Sequence, residues 1–367
     1  ITLSAFTYAA KEVFKKYNWF VPGCTPAEIV SRVRCLVANE GEVLSCDYSR
    51  LDGTISAFLR RIEKAVYVRM FKPEYKHDLA KLLDDEVSSS AITATGVRYK
   101  PLHSRLSGSP LTTDGNTLLV AYVAYCSARN ANLINAKELE TIPSLVYGDD
   151  KLAVGISKQV LEKTAQDLGL TLKCEVSKIS EPVTYLSRIF IDPWTTDTTV
   201  QAPRRALGKL HLSVVRNVDK RIVARNKATG YLVTDSLTPL LSDYCKHIAD
   251  KTADVTDIHL RNPELLRDCN NWVREFGNKS WPQALHDTEL MQKIVANDLE
   301  LTVDELLTKI DEVKSGTWSP IVFELIVPEG MHMVEPPPEI PPPGEAAGVQ
   351  RSRRRNRAQR NRSVVSA

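Results

Sequence analysis

Residues 145–154, LVYGDDKLAV, decide the fold because two short apolar runs flank an acidic turn. The apolar runs span 142–147 and 152–156, and Gly148-Asp149-Asp150 separates them. Two apolar runs with a short turn between them are typical of a β-hairpin. The sequence therefore predicts a hairpin with two adjacent aspartates at its tip.

Adjacent carboxylates repel each other, and inside a cleft that repulsion calls for a neutralising cation. Carboxylate oxygens favour Mg²⁺ or Mn²⁺, hard ions that also take substrate phosphate as a ligand. Asp47 ends another short apolar run, 43–46, and would supply a third carboxylate. We expect Asp47, Asp149 and Asp150 to form a two-metal site of the kind that catalyses phosphoryl transfer.

A solvated turn is the ordinary explanation of an acidic pair alone, so the case depends on three clusters together. They are DYSRLDG at 47–53, SGSPLTTDGNT at 107–117 and YGDD at 147–150. The first ends a predicted strand, the second enters a predicted helix, and the third is the hairpin tip. Together they supply three carboxylates with a set of hydroxyl and amide groups, which favours catalysis over three unrelated turns.

The remaining pattern mixes helices and strands. Apolar spacing from Ile55 to Met70 predicts a helix with Thr54 as its N-cap and with Arg60, Arg61 and Lys64 on its exposed side. Further helices are predicted over 113–128 and 157–168 and around 240–248, 263–276 and 290–299, with strands over 170–174 and 183–191 and mostly loop over 88–116. Thr302 and Glu305 form a predicted capping box.

Composition excludes several classes of protein. The chain has 367 residues, of which 43% are hydrophobic and 25% charged, the balance of a globular protein rather than a disordered, collagenous or coiled-coil one. Seven scattered cysteines without a C-x-x-C pair argue against a disulfide framework or a zinc site. Residues 351–362 hold seven arginines and no acid, which predicts a disordered tail that binds a polyanion.

The three clusters resemble motifs A, B and C of viral RNA-dependent RNA polymerases, in the same order and with similar spacing. LGLTLKCEVSK at 168–178 resembles motif D, and VTYLSRIF at 183–190 resembles motif E. The sequences of residues 19–29 and 47–56 most resemble those of polymerases from nodaviruses and their relatives. The resemblance implies an α/β (α+β) right-hand fold, with an antiparallel palm sheet followed by a mainly helical thumb.

The resemblance also implies residue roles. Asp47 and Asp149 are the expected main metal ligands, assisted by Asp150, while Asp52 and Asn116 would recognise the ribose 2′-hydroxyl. Ser107 and Gly108 would begin a loop that senses the nascent base pair, and Thr112 would support Asn116. Lys178, preferred over Lys173, would protonate the leaving pyrophosphate. Expected RNA contacts are Arg188 near the primer terminus and Arg204, Arg205 and Lys209 in the basic segment 204–227, although a solvated basic face explains that segment equally well.

The expected domains follow from the motif order. They are a remnant of fingers and palm entry at 1–46, the palm at 47–203, the thumb at 204–327, a proline-rich linker at 328–350 and the arginine-rich tail at 351–367. Arg32 and Arg34 are present upstream of Asp47, but no clear triphosphate-binding motif accompanies them. We therefore expect a palm and thumb piece with truncated fingers, which leaves open whether it is active alone.

RNA-templated RNA synthesis in viral genome replication is the expected function, with template RNA and nucleoside triphosphates as partners. A reverse transcriptase is a first alternative, but it excludes the 2′-hydroxyl that Asp52 and Asn116 are expected to bind. A non-catalytic RNA-binding or assembly protein that acts through its tail is a second. The expected location is the host cytoplasm, at membrane-associated replication complexes reached through upstream segments.

Overall fold

The computed structural model describes residues 2–93, 96–106, 108–138, 141–212, 218–255 and 280–317. Ser107, the helix predicted around 263–276, the proline-rich linker and the arginine-rich tail lie outside these ranges. Among the described helices, none combines the length and the apolar character needed to cross a bilayer.

Helices and short strands alternate along the described chain. The helices are α1 (Thr2–Phe14), α2 (Pro26–Val37), α3 (Leu51–Thr54), α4 (Ala57–Arg69), α5 (Pro73–Ser88), α6 (Thr112–Asn130), α7 (Lys158–Asp167), α8 (Pro203–Leu210), α9 (Lys220–Thr234), α10 (Leu241–Lys251), α11 (Thr288–Asp298) and α12 (Val303–Ser315). The strands are β1 (Glu42–Tyr48), β2 (Ala91–Ile92), β3 (Arg98–Tyr99), β4 (Ser144–Tyr147), β5 (Asp150–Ala153), β6 (Leu172–Lys178), β7 (Val183–Tyr185), β8 (Arg188–Phe190) and β9 (Thr199–Gln201).

A four-stranded antiparallel sheet, in the order β4-β5-β1-β6, is the centre of the fold. Residues 19–21 are hydrogen-bonded to the free edge of β4. Val146 donates its N–H to the carbonyl of Trp19 (2.9 Å), and its carbonyl accepts from Val21 N–H (3.1 Å). The boundary predicted between residues 46 and 47 is therefore not a structural one: β1 crosses it, and the chain upstream joins the same sheet.

The two faces of the sheet belong to two separate cores. Leu44, Cys46 and Val146 pack with α1, α4, α6 and α7, whereas Val43 and Leu152 pack with α2 and with β7 and β8. This division follows from the alternation of side chains along a strand, which sends neighbours to opposite faces. The alternation also decides which face receives each charged residue at the strand ends.

Several predicted elements differ in detail from the observed ones. Ser56, not Thr54, caps α4, because its hydroxyl accepts from Leu59 N–H while Thr54 closes the short helix α3. Strand β6 runs to Lys178 because it pairs with the whole of β1, and the predicted strand 183–191 divides into β7 and β8. Helix α6 begins inside the stretch predicted as mostly loop, which also contains β2 and β3.

Between residues 203 and 315, the elements that the structure describes are all helices joined by turns and loops, as predicted. Helices α10 and α11 confirm the predictions around 240–248 and 290–299. The predicted capping box begins α12: Glu305 N–H donates to Thr302 Oγ1 (3.2 Å), and Thr302 N–H donates to Glu305 Oε2 (2.8 Å). A small core built from Ala206, Ala228 and Leu241 joins α8, α9 and α10.

Candidate active site

Two adjacent strands and one turn carry the three acidic residues. Asp47 and Asp150 each lie one residue beyond the register pair Cys46–Lys151, so they meet at the same end of β1 and β5. Both fall on the face that holds Val43 and Leu152, because side chains alternate along each strand. Asp149 occupies the turn between β4 and β5, which Gly148 opens with φ +61°, a conformation that glycine adopts at no steric cost.

Electrostatics links these groups. The pKa of Asp150 is raised to about 6 by burial and by the carboxylates of Asp149 and Asp47, and the Arg205 guanidinium opposes this rise. Asp47 and Asp149 are both exposed. The structure thus brings together the three carboxylates that the sequence separates by about a hundred residues, and it places one basic residue of α8 within their field.

The donor set suits a hard divalent cation. Within the described ranges, no three His, Cys, Asp or Glu side chains already converge closely enough to hold one ion. Burial is the main reason why the pKa of Asp150 is raised, but the carboxylates of Asp149 and Asp47 raise it further, and a cation would relieve that repulsion. Carboxylate oxygens without nitrogen or sulfur donors favour Mg²⁺ or Mn²⁺, so the residues present fit the predicted metal.

A second pair of predicted residues also meets. Asn116, on α6, donates from Nδ2 to Oδ1 of Asp52, on α3, at 2.7 Å. The backbone of Asp52 is held as well, because its carbonyl accepts from Arg105 N–H at 2.8 Å. An amide and a carboxylate in contact offer both a donor and an acceptor, which a sugar hydroxyl can satisfy at once.

Asp149, Asp150 and the Asp52–Asn116 pair open into one cleft of about 720 Å³, and Asp47 is not among the residues that line it. Its lining includes Asp52, Asn116, Asp149, Asp150 and Thr112. Thr112 lies one helical turn before Asn116, but its hydroxyl donates to the carbonyl of Leu106 (3.3 Å) and not to Asn116. Gly108, with φ +93°, turns the chain shortly before α6 and is outside the lining.

Thr117 fixes the acidic hairpin against α6. Its buried hydroxyl accepts from Gly148 N–H at 2.8 Å and donates to the carbonyl of Thr113 at 2.8 Å. The turn that carries Asp149 is therefore attached to the helix that carries Asn116, so the acidic and the amide groups keep one relative position.

A comparison with protein families decides the class of this chain. Residues 4–203, more than half of the chain, match the family described as viral RNA-dependent RNA polymerase. The chain belongs to this polymerase family. The region matched contains all three clusters and the four-stranded sheet, which is the palm of the right-hand fold.

Individual relatives agree with this membership. The polymerase chain is 40% identical over 325 residues to the RNA-directed RNA polymerase of striped jack nervous necrosis virus, covering 86% of this chain and 32% of that protein. It is 32% identical over 297 residues to that of Flock house virus, covering 79% and 30%. The expected similarity to nodavirus polymerases is confirmed, and the chain spans about a third of the length of these relatives.

A solved structure supports the fold alone. The RNA-dependent RNA polymerase of a human picorbirnavirus is 18% identical, with a TM-score of 0.50, and the match covers 77% of this chain and 55% of that one. The predicted right-hand fold class is thereby confirmed for the polymerase chain.

Lys178 does not lie where the motif D prediction needs it. It is paired with Glu42 at the far end of β1, whereas Lys173 is directly opposite Asp47. Five residues of strand separate the two lysines, roughly 17 Å, and alternation puts Lys178 on the other face of the sheet. The strand register, which could not be read from the motif, therefore speaks against the preference for Lys178 and puts Lys173 opposite Asp47.

Arg188 is also not an exposed RNA contact. Its side chain is 2% exposed and pairs with Asp235 through Nη2–Oδ1 at 2.9 Å and Nη1–Oδ2 at 3.1 Å. The guanidinium also lies 4.3 Å from the ring centre of Trp281. Arg188 therefore joins the β7-β8-β9 sheet to the helical region, and the prediction that it touches RNA is wrong.

The basic residues of α8 have different surroundings. Arg204, Arg205 and Lys209 are all exposed. Arg204 pairs with Glu300 at 2.7 Å, while Arg205 acts electrostatically on Asp150. Of the three, Arg205 is thus the one with a shown electrostatic effect on the acidic cluster.

Sequence reasoning missed the buried charges behind this site. Arg60, predicted on an exposed face, is 7% exposed because Glu63 and the carbonyls of His103 and Ser104 accept its hydrogen bonds. Arg105 was assigned no role, although it stands in an otherwise Ser- and Gly-rich stretch. An arginine in such a stretch was the available signal, but its closest acidic partner, Glu63, is 42 residues away in the sequence.

Proposed function

We propose that this chain forms the palm and thumb of an enzyme that copies RNA into RNA. The observation that carries the proposal is that Asp149 and Asp150 line one cleft with the Asp52–Asn116 pair, while Asp47, at the same strand end, acts electrostatically on Asp150. The carboxylates suit phosphoryl transfer, and the amide–carboxylate pair suits a ribose hydroxyl. Family membership supports the same reaction class.

Each residue has a distinct task in the proposed reaction. Asp47 and Asp149, assisted by Asp150, would hold Mg²⁺ or Mn²⁺, which when bound lowers the pKa of the attacking 3′-hydroxyl and stabilises the leaving pyrophosphate. Asp52 and Asn116 orient the incoming nucleoside triphosphate through its 2′-hydroxyl. We assign the protonation of the pyrophosphate to Lys173, a role supported by its position opposite Asp47 in the strand register.

The RNA strand is expected to lie along the basic side of the cleft. Arg205 and Lys209 are exposed on α8, and Arg205 is within the electrostatic reach of Asp150. Phosphate contacts of this kind are not specific for sequence and weaken as salt rises. Replication at host membranes stays a prediction.

Replacing Asp149 tests the proposal. In the polymerase that contains this chain, Asp149→Ala should lower nucleotide incorporation on a primed RNA template at least about 100-fold, because a charge-stabilising group is lost. The measurement is extension of a labelled primer by one nucleotide.

A surface acid provides the matched control. Asp167→Ala removes an exposed carboxylate of α7 that pairs with exposed Lys163, so extension should stay at the wild-type rate. Wild-type extension by a folded Asp149→Ala variant would reject the site. Preference for deoxynucleotides by the wild-type enzyme would favour a reverse transcriptase instead.

A further inference from the structure

Both ends of the Asn116 amide are held, although only one of them contacts a residue of the three clusters. Nδ2 donates to Asp52, and Oδ1 accepts from Nε of Arg105 at 3.1 Å. Asn116 is 5% exposed. Two opposite partners leave one orientation of the amide, because a flip would set its oxygen against the Asp52 carboxylate and its NH₂ against the guanidinium.

Arg105 is itself fixed by buried acids. Its side chain has no exposed surface and pairs with Glu63 through Nη2–Oε1 at 2.5 Å, with Glu86 farther away at 3.6 Å. Arg60 completes the group, because it contacts Glu63 at 3.0 Å and Glu86 at 3.3 Å. Two arginines balance two glutamates, which is the condition under which such charges are retained in an interior.

Helix α6, which carries Asn116, has a glycine where the Glu63–Arg105 ion pair approaches its backbone. A Cβ at Gly115 would collide with Glu63 Oε1 and would lie 2.8 Å from Arg105 Nη2. Any larger residue at position 115 would therefore push the ion pair away from α6. The close approach brings Nε of Arg105 within hydrogen-bond distance of the next residue, Asn116.

We propose that Arg105 is a positioning residue for sugar selection, which acts by fixing the orientation of the Asn116 amide. An amide nitrogen carries two hydrogens, so one remains for the 2′-hydroxyl of the nucleotide once Asp52 has accepted the other. The same hydroxyl can donate to Asp52. Arg105 touches neither nucleotide nor phosphate, and its effect passes through Asn116 alone. This inference rests on the proposed function.

The test compares two arginines of the same buried group. Arg105→Lys keeps the positive charge beside Glu63 but removes the Nε donor to Asn116. Arg60→Lys perturbs the same acids but leaves Asn116 untouched. Both variants are made in the polymerase that contains this chain, and incorporation efficiency is measured with ribo- and deoxyribonucleoside triphosphates opposite the same template base.

Arg105→Lys should lower the ribo-to-deoxy ratio of incorporation efficiencies about 10-fold, the worth of one charge-assisted hydrogen bond. The change should lie in the ribonucleotide KM and kcat, with deoxyribonucleotide values nearly unchanged. Arg60→Lys should keep the wild-type ratio, even where it lowers the melting temperature. A merely structural role of Arg105 predicts the opposite, an equal loss with both sugars.

The outcomes separate the inference from the function it rests on. RNA synthesis by the wild type with an unchanged ratio in Arg105→Lys overturns the inference and leaves the proposed function standing. Absence of templated synthesis by the wild type overturns both. If Arg105→Lys fails to fold, Glu63→Gln takes its place: it weakens the hold on Arg105, so a lower ratio supports the inference and a wild-type ratio rejects it.

Discussion

At the scale of single residues, the electrostatics of the site depends on three neighbouring carboxylates. Asp150 is the residue at which this is most visible, since burial and two acidic neighbours all raise its pKa. Ionised Asp150 therefore destabilises the cation-free folded state near neutral pH, and a bound cation would offset this destabilisation. The acidic hairpin is therefore a place where stability and metal binding are coupled.

Asp150→Asn should reveal this coupling without any activity assay. The pKa of Asp150 rises from an ordinary 3.8 to about 6 in the folded chain, so the folded state holds more protons in that window and loses stability as pH rises through 6. Without divalent cations at pH 7.5, Asp150→Asn should melt a few degrees higher than wild type. Below pH 4 the difference should disappear.

Adding Mg²⁺ should reverse the order in the same melting experiment. The wild-type melting temperature should rise at pH 7.5, and that of Asp150→Asn should rise less, because one ligand is lost. Asp167→Asn, on the surface of α7, should respond like wild type. A wild-type melting temperature that does not change with Mg²⁺ would contradict the metal assignment.

At the scale of elements, strand register selects the residues that can act. Strand β6 pairs with β1 from Glu42–Lys178 to Tyr48–Leu172, and this register puts Lys173 beside Asp47. A shift of one residue would exchange the faces of the sheet and move Lys173 away from Asp47. The cleft is therefore built as much by pairing as by the motifs themselves.

Two lysine variants test the register. Lys173→Ala should lower the rate of single-nucleotide incorporation about 100-fold, the typical contribution of a positioned proton donor. Lys178→Ala, five residues along the same strand, should remain within about twofold of wild type. A slow Lys178→Ala enzyme with a normal Lys173→Ala enzyme would show that this register does not describe the working state.

At the scale of the described molecule, one buried ion pair connects the palm to the helical region. Arg188 on β8 meets Asp235, which follows α9, and Asp235 also accepts from Gln201 N–H at 2.9 Å and from Thr238 Oγ1 at 3.0 Å. Burial and pairing go together here, because an isolated buried guanidinium is costly. The pair thus couples the folding of two regions more than it contributes to chemistry.

Asp235→Ala should lower the free energy of unfolding by about 3–5 kcal/mol, because Arg188 is left buried and unpaired. Asp197→Ala is the matched control, since it breaks an exposed pair with Arg34 and should cost about 1 kcal/mol or less. Chemical denaturation of the chain measures both. Equal losses in the two variants would contradict the structural role given to Arg188.

The local sequence pattern was enough to predict the features that depend on residues close together in the chain. The acidic hairpin, the helices from 112 and from 158, the capping box at Thr302 and the order of the three clusters could all be predicted from spacing and turn residues. The resemblance assigned Asp52 and Asn116 to the same ribose hydroxyl, and the structure shows that the two side chains are hydrogen-bonded to each other.

The tertiary structure decided what each charged side chain faces. The sequence by itself determined the hairpin, the helices and the set of acidic groups, because these follow from residues close together in the chain. It left undecided that Lys173 pairs with Asp47 and that Arg188 and Arg105 are buried. Those outcomes depend on strand register and on partners such as Glu63 and Asp235, which pack beside the arginines only when distant segments fold together.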